Sequence, residues 1–67
     1  MNKEKRDQIK KDIIEKLSNG KYKSTTAISI EMKKHYYLIQ PLLQELLEER
    51  KVERDKKEHL TFWRLKK

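Results

Sequence analysis

Charged residues make up 43% of this chain, so the spacing of its apolar residues is the tightest constraint on what it can fold into. Ile9, Ile13 and Leu17 recur every fourth residue with Ile14 beside them, the stripe of an amphipathic helix. Ile28 and Met32 make a second stripe, and Ile39, Leu42, Leu43, Leu46 and Leu47 a third. The period then changes to two: Thr61, Trp63 and Leu65 share one face of a strand, Leu60, Phe62 and Arg64 the other. A disordered chain has charge without such periodicity. The pattern therefore predicts three helices and a terminal β-hairpin around one core.

Local signals place the boundaries. Asn2 can cap a first helix over about residues 3–18, whose first turn carries Glu4 and Asp7 at the positive end of the helix dipole. Asn19 and Gly20, the only glycine, end it. Lys21 to Ser24 is too short for an independent strand and reads as an extended bridge with Tyr22 turned inward. Ser24, Thr25 and Thr26 all qualify as caps for a second helix over about 25–34. A third spans about 36–50, with Pro41 late enough to make its first turn irregular. Lys51 to Asp55 and His59 to Leu65 read as strands around a charged turn at Lys56, Lys57 and Glu58.

Composition then narrows the functional classes. With no cysteine and no Cys/His cluster, neither disulfides nor a structural zinc supplement the core. The uncharged runs fall far short of the ~20 residues of a membrane span. The charged amino terminus has no apolar signal core, so a soluble, cytoplasmic protein is expected. His35 and His59 have no carboxylate or cysteine at ligand spacing, and no nucleophile–base pair, carboxylate dyad or phosphate-binding glycine loop appears. No enzyme activity, metal or cofactor is expected. A net charge of +7 fits a polyanionic partner. That charge gathers toward both ends of the chain, with Glu45, Glu48 and Glu49 as the acidic exception.

The intervals from Ile28 to Met32, Ile39, Leu43, Leu46 and Val52 resemble the core skeleton of winged helix-turn-helix transcription regulators. The resemblance spans residues 9 to 65 and ends in the Phe62-Trp63-Arg64-Leu65 strand. Richness in lysine, glutamate and isoleucine without cysteine adds a likeness to small regulators of archaea and their viruses. Three positions depart from the family pattern: Ser29 stands where alanine is usual, Lys33 where the turn often has glycine, and Arg50 where glycine often precedes the wing. Ser29 is still small, and its hydroxyl can bond back to the preceding turn.

The resemblance implies a mainly α, winged helix-turn-helix fold that binds double-stranded DNA through a third, recognition helix followed by a wing over about 51–65. Tyr36, Tyr37, Gln40 and Gln44, with Pro41 among them, then lie where family members meet base edges. A glutamine amide can pair with adenine in the major groove. Lys33, Lys34 and His35 precede that helix, Lys56 and Lys57 lie at the wing tip, and Arg54 and Arg64 lie in the hairpin. With Lys23 and Thr26 near the second helix, these are the expected phosphate contacts.

A wing tryptophan set beside prolines contacts nucleic acid in the subgroup that binds left-handed DNA, but this hairpin has no proline and Trp63 is expected in the core. Phe62 on the other strand face, together with the first helix, is an expected homodimer surface. The rival function is a winged-helix protein-interaction module using Phe62 and the Glu45, Glu48 and Glu49 patch. No small-molecule ligand is indicated.

Overall fold

Asn2 opens the first helix, its side-chain oxygen accepting from Lys5 N at 2.9 Å and so occupying one of the backbone donors a helix start leaves free. In a computed structural model that describes residues 2–66, the elements run α1 (Lys3–Lys16), β1 (Lys23–Ser24), α2 (Thr25–Met32), α3 (Tyr36–Glu48), β2 (Val52–Lys57) and β3 (Leu60–Leu65). The three strands form one antiparallel sheet in the order β1-β3-β2. Among the described residues no helix is long and apolar enough to cross a membrane.

Each helix ends by an identifiable device. Beyond α1, Gly20 takes a φ of 76° and its N–H donates to Leu17 O at 3.1 Å, a conformation that costs other residues more. Of the three candidate caps of α2, Ser24 is the one used, its Oγ accepting from Ala27 N at 3.0 Å. Ser29 is buried and donates back to Thr26 O at 2.7 Å, the local bond expected of it.

α2 and α3 end in the same geometry. Lys33 N donates to Ile30 O and Lys34 N to Ser29 O, at 3.1 and 3.0 Å. Arg50 N donates to Leu47 O and Lys51 N to Leu46 O, at 3.0 and 2.9 Å. Each pair of bonds is a Schellman motif, closed by one left-handed residue. Lys33 with φ 55° and Arg50 with φ 61° fill those positions. The chain thus departs in residue type at both sites while the left-handed turn is still made, and both helices stop about two residues before the ends expected from sequence.

Pro41 lies inside α3. It offers no N–H to the Tyr37 carbonyl, yet the helix continues. The irregular first turn expected from Pro41 is not seen: α3 is continuous from Tyr36, and Leu38 N and Ile39 N share the His35 carbonyl at 3.0 and 3.2 Å, as is common at a helix terminus.

The sheet corrects three expectations. Residues 23–24 do form a strand, because pairing with β3 supplies the hydrogen bonds so short a segment cannot make alone. Its register sets Lys23 opposite Trp63, which puts Tyr22 on the other, outer face of the sheet. Tyr22 is accordingly exposed, with the Arg64 guanidinium 4.7 Å from its ring centroid. The hairpin also runs further than expected: Lys56 pairs with Thr61 and Lys57 with Leu60. The turn is therefore Glu58-His59, and Glu58 supplies the positive φ, 55°, that a two-residue connection needs.

The core gathers Ile9, Ile13 and Leu17 of the first helical segment, Ile28, the Ile39, Leu42, Leu43 and Leu46 side of α3, Val52 and Trp63. Ile14, Met32, Leu47 and Leu65 pack at its margin. Trp63 is 0% exposed, and its Nε1–H donates to the buried Thr25 Oγ1 at 2.7 Å.

Stability measurements on four variants check this account. Thr25→Val keeps the shape of the side chain but strands the indole N–H, and should cost about 1–3 kcal/mol. Trp63→Ala, which also opens a cavity, should cost about 3–5 kcal/mol and leave little folded protein. Lys33→Gly and Arg50→Gly should each raise stability by about 0.5–1 kcal/mol, since relief of the left-handed penalty exceeds the entropy that glycine adds to the unfolded chain. A lowered melting temperature for both glycine variants would contradict the turn geometry.

Candidate nucleic-acid interface

The side of α3 that turns away from the core carries Tyr37, Gln40, Pro41, Gln44 and Glu48 at helical spacing. None of the five is a cation. Tyr37 is 87% exposed and Tyr36 44%, their rings edge-on at 6.0 Å. His35 occupies the N-cap position without a side-chain bond to the helix, and Lys33, Lys34 and His35 are all exposed just ahead of it. The residues expected to flank the start of this helix are therefore brought to it.

The two glutamines differ. Gln40 Oε1 is buried without a hydrogen-bond partner. Gln44 Oε1 accepts from Arg54 Nη1 at 3.3 Å, a bond that joins the exposed face of α3 to the hairpin.

Cross-strand register sorts the charges of the hairpin by face. Val52, Arg54 and Lys56 stand opposite Leu65, Trp63 and Thr61 and share the side on which Trp63 enters the core, the side of the helices. Glu53, Asp55 and Lys57 stand opposite Arg64, Phe62 and Leu60 on the outer side. Arg54 and Lys56 thus lie toward α3, while Lys57 and Arg64 do not.

Arg64 is engaged on that outer face. Its Nε donates to Glu53 Oε2 at 2.8 Å, a bond that raises its pKa further above the usual guanidinium value. Lys57 borders a depression of about 200 Å³ with Tyr22, Asp55 and Phe62. No residue of α1 lines it, so Phe62 and the first helix do not share that hollow. Near α2, Thr26 is exposed, whereas Lys23 Nζ donates to Glu31 Oε1 at 2.8 Å.

The acidic end of α3 is largely taken up by α1. Arg6 pairs with Glu45, and Lys10 lies 3.6 Å from Glu45 and 2.5 Å from Glu49. Lys51 adds a contact to Glu49 at 3.6 Å. The hydrogen bond from Lys10 holds the Glu49 carboxyl below its ordinary pKa. Of the patch expected to serve a protein partner, only Glu48 has no ion pair among the described residues.

Sequence spacing had no means of joining Gln44 to Arg54, which lie on different elements and meet only when the hairpin packs on α3. The separation of Lys56 from Lys57 was open to the period-two rule, but only once the turn had been placed at Glu58-His59. Comparison with protein families, with curated proteins and with solved structures finds no match to this chain.

The unpartnered Gln40 oxygen has a consequence for stability. Gln40→Met keeps the length of the side chain and removes a buried acceptor that lacks a bond. The variant should melt at or above the parent temperature. A drop of more than about 5 °C, roughly 1 kcal/mol for a domain of this size, would mean that the amide does have a partner.

Proposed function

We propose that this chain is a winged helix-turn-helix protein that binds double-stranded DNA, with α3 in the major groove and the β2–β3 hairpin as the wing against the phosphate backbone. The observation that carries the reading is the arrangement around α3. A helix face that bears Tyr37, Gln40 and Gln44 and has no cation of its own has exposed Lys33 and Lys34 just ahead of its first residue and exposed Arg54 and Lys56 on the helix-facing side of the hairpin. Phosphates flank a helix docked in the groove on both sides, and cations there fix register while polar side chains meet base edges. Two left-handed helix ends, at Lys33 and Arg50, support the resemblance to the family at positions where it often has glycine. The rival reading as a protein-interaction module has less to work with, because Glu45 and Glu49 are already paired within the chain.

Titration of a labelled duplex at several salt concentrations tests the proposal. Log affinity should fall linearly with log salt, with a slope of about −0.9 per phosphate neutralised. Lys56→Ala should reduce the magnitude of that slope by about one, and equally for all sequences. Lys57→Ala, on the outer face, should leave it nearly unchanged. Absence of binding at low salt would remove the DNA reading and favour the interaction module.

A further inference from the structure

The third helix carries no cation on its exposed face, so by itself it has no arginine with which to read guanine, and its glutamines are the expected partners of adenine. The hairpin changes that balance. Arg54 Nη1 lies 3.3 Å from Gln44 Oε1, and Arg54 stands opposite Trp63 on the side of the sheet that faces the helices. A guanidinium has donors only. The atom it faces must therefore be the amide oxygen, which fixes the orientation of the Gln44 side chain and turns its NH₂ group away from Arg54. The Gln40 oxygen is buried and the Gln44 oxygen is engaged by Arg54, so neither amide oxygen on this face is left free to accept from a base.

Resting on the DNA-binding reading above, we infer that Gln44 and Arg54 act as one donor-rich unit that selects guanine, with Gln44 as the positioning residue and Arg54 as the reader. In the major groove guanine presents two adjacent acceptors, N7 and O6, whereas adenine presents the N7 acceptor beside an N6 amino donor. Against Arg54 and the Gln44 NH₂ group, guanine satisfies donors with acceptors. Adenine sets its amino group against other donors and leaves hydrogen bonds unmade. The preference therefore differs from the glutamine–adenine pairing expected from helix 3 alone. Arg54 becomes a base contact instead of a phosphate contact.

The experiment begins with selection of a preferred duplex from a random library, followed by titration of that duplex, its single G-to-A replacements and 7-deazaguanine replacements, which lack the N7 acceptor. One G-to-A change should weaken binding about tenfold to a hundredfold, and 7-deazaguanine at the same base should weaken it as well. Arg54→Ala should abolish discrimination at that base while leaving the salt slope within about half a unit of the parent. Gln44→Ala should lose most of it. Gln44→Glu, which still accepts from Arg54 but sets an acceptor where the NH₂ donor stood, should recover the part of the discrimination that Arg54 supplies, even if overall affinity falls through repulsion from phosphate. Melting temperatures of the three variants, all at surface positions, confirm that folded protein is being compared.

A selected site that owes nothing to guanine would overturn the inference, as would binding without sequence preference. So would an Arg54→Ala variant that loses affinity equally on every duplex with a slope smaller by about one, since that is a phosphate contact. In each of these cases DNA binding itself stands. Failure to bind any duplex at low salt would remove both the inference and the reading on which it rests.

Discussion

The indole of Trp63 is where the sheet and the helices become one structure. Its ring is fully buried in a core to which all three helical segments contribute, and its only polar atom donates to Thr25 Oγ1 at 2.7 Å, at the first residue of α2. A chain this short buries only about 60% of the surface it exposes when unfolded, so one large aromatic supplies a substantial part of the core. The indole N–H would be costly to bury unpaired. Thr25, one residue past the cap, removes that cost and ties β3 to the start of α2. Neighbouring Ser24 caps the helix and also pairs with Phe62 through β1. The same few residues therefore start a helix, close a sheet and seat the tryptophan.

From that anchor, the placement of α3 depends on two left-handed residues. Lys33 ends α2 and Arg50 ends α3, and each carries a side chain where glycine would be easier by about 1–2 kcal/mol before its own entropy is counted. Strain of this kind persists only where the surrounding structure over-determines the turn. Here two Schellman bonds do so at each end. Both strained residues are cations, Lys33 just ahead of α3 and Arg50 just beyond it.

The hairpin shows a second division of labour. On β2, Arg54 and Lys56 share the helix-facing side, and Glu53 and Asp55 the outer side. Positive potential is thereby directed toward α3, while part of the outer charge is neutralised by the Glu53–Arg64 bridge. The same alternation protects the free edge of β2, which lies outermost in the sheet. Antiparallel pairing with a second copy about a twofold axis keeps each residue on its own face, so it would bring Arg54 and Lys56 against each other or Glu53 against Asp55. Like charges directly opposite destabilise a strand pair.

Much of this protein could be read from its residues alone because the relevant information is local. The four-residue stripe of Ile9, Ile13 and Leu17, the cap at Asn2, the stop at Gly20, and the alternation that turns Trp63 inward each depend on neighbours within a turn or a strand pleat. Helix order, core membership and the basic character of the chain followed from them. What sequence missed depended on contacts between distant segments. Tyr22 faces outward because the register of β1 on β3 decides its side, and the hairpin turn lies at Glu58-His59 because cross-strand pairing extends to the shortest loop that closes. Lys33 and Arg50 adopt left-handed turns because bonds from the following residues hold them there, not because their own preferences favour it. The tertiary structure alone set Arg54 beside Gln44 and parted Lys56 from Lys57, since the direction of a side chain along a strand acquires meaning only once the opposite face is packed.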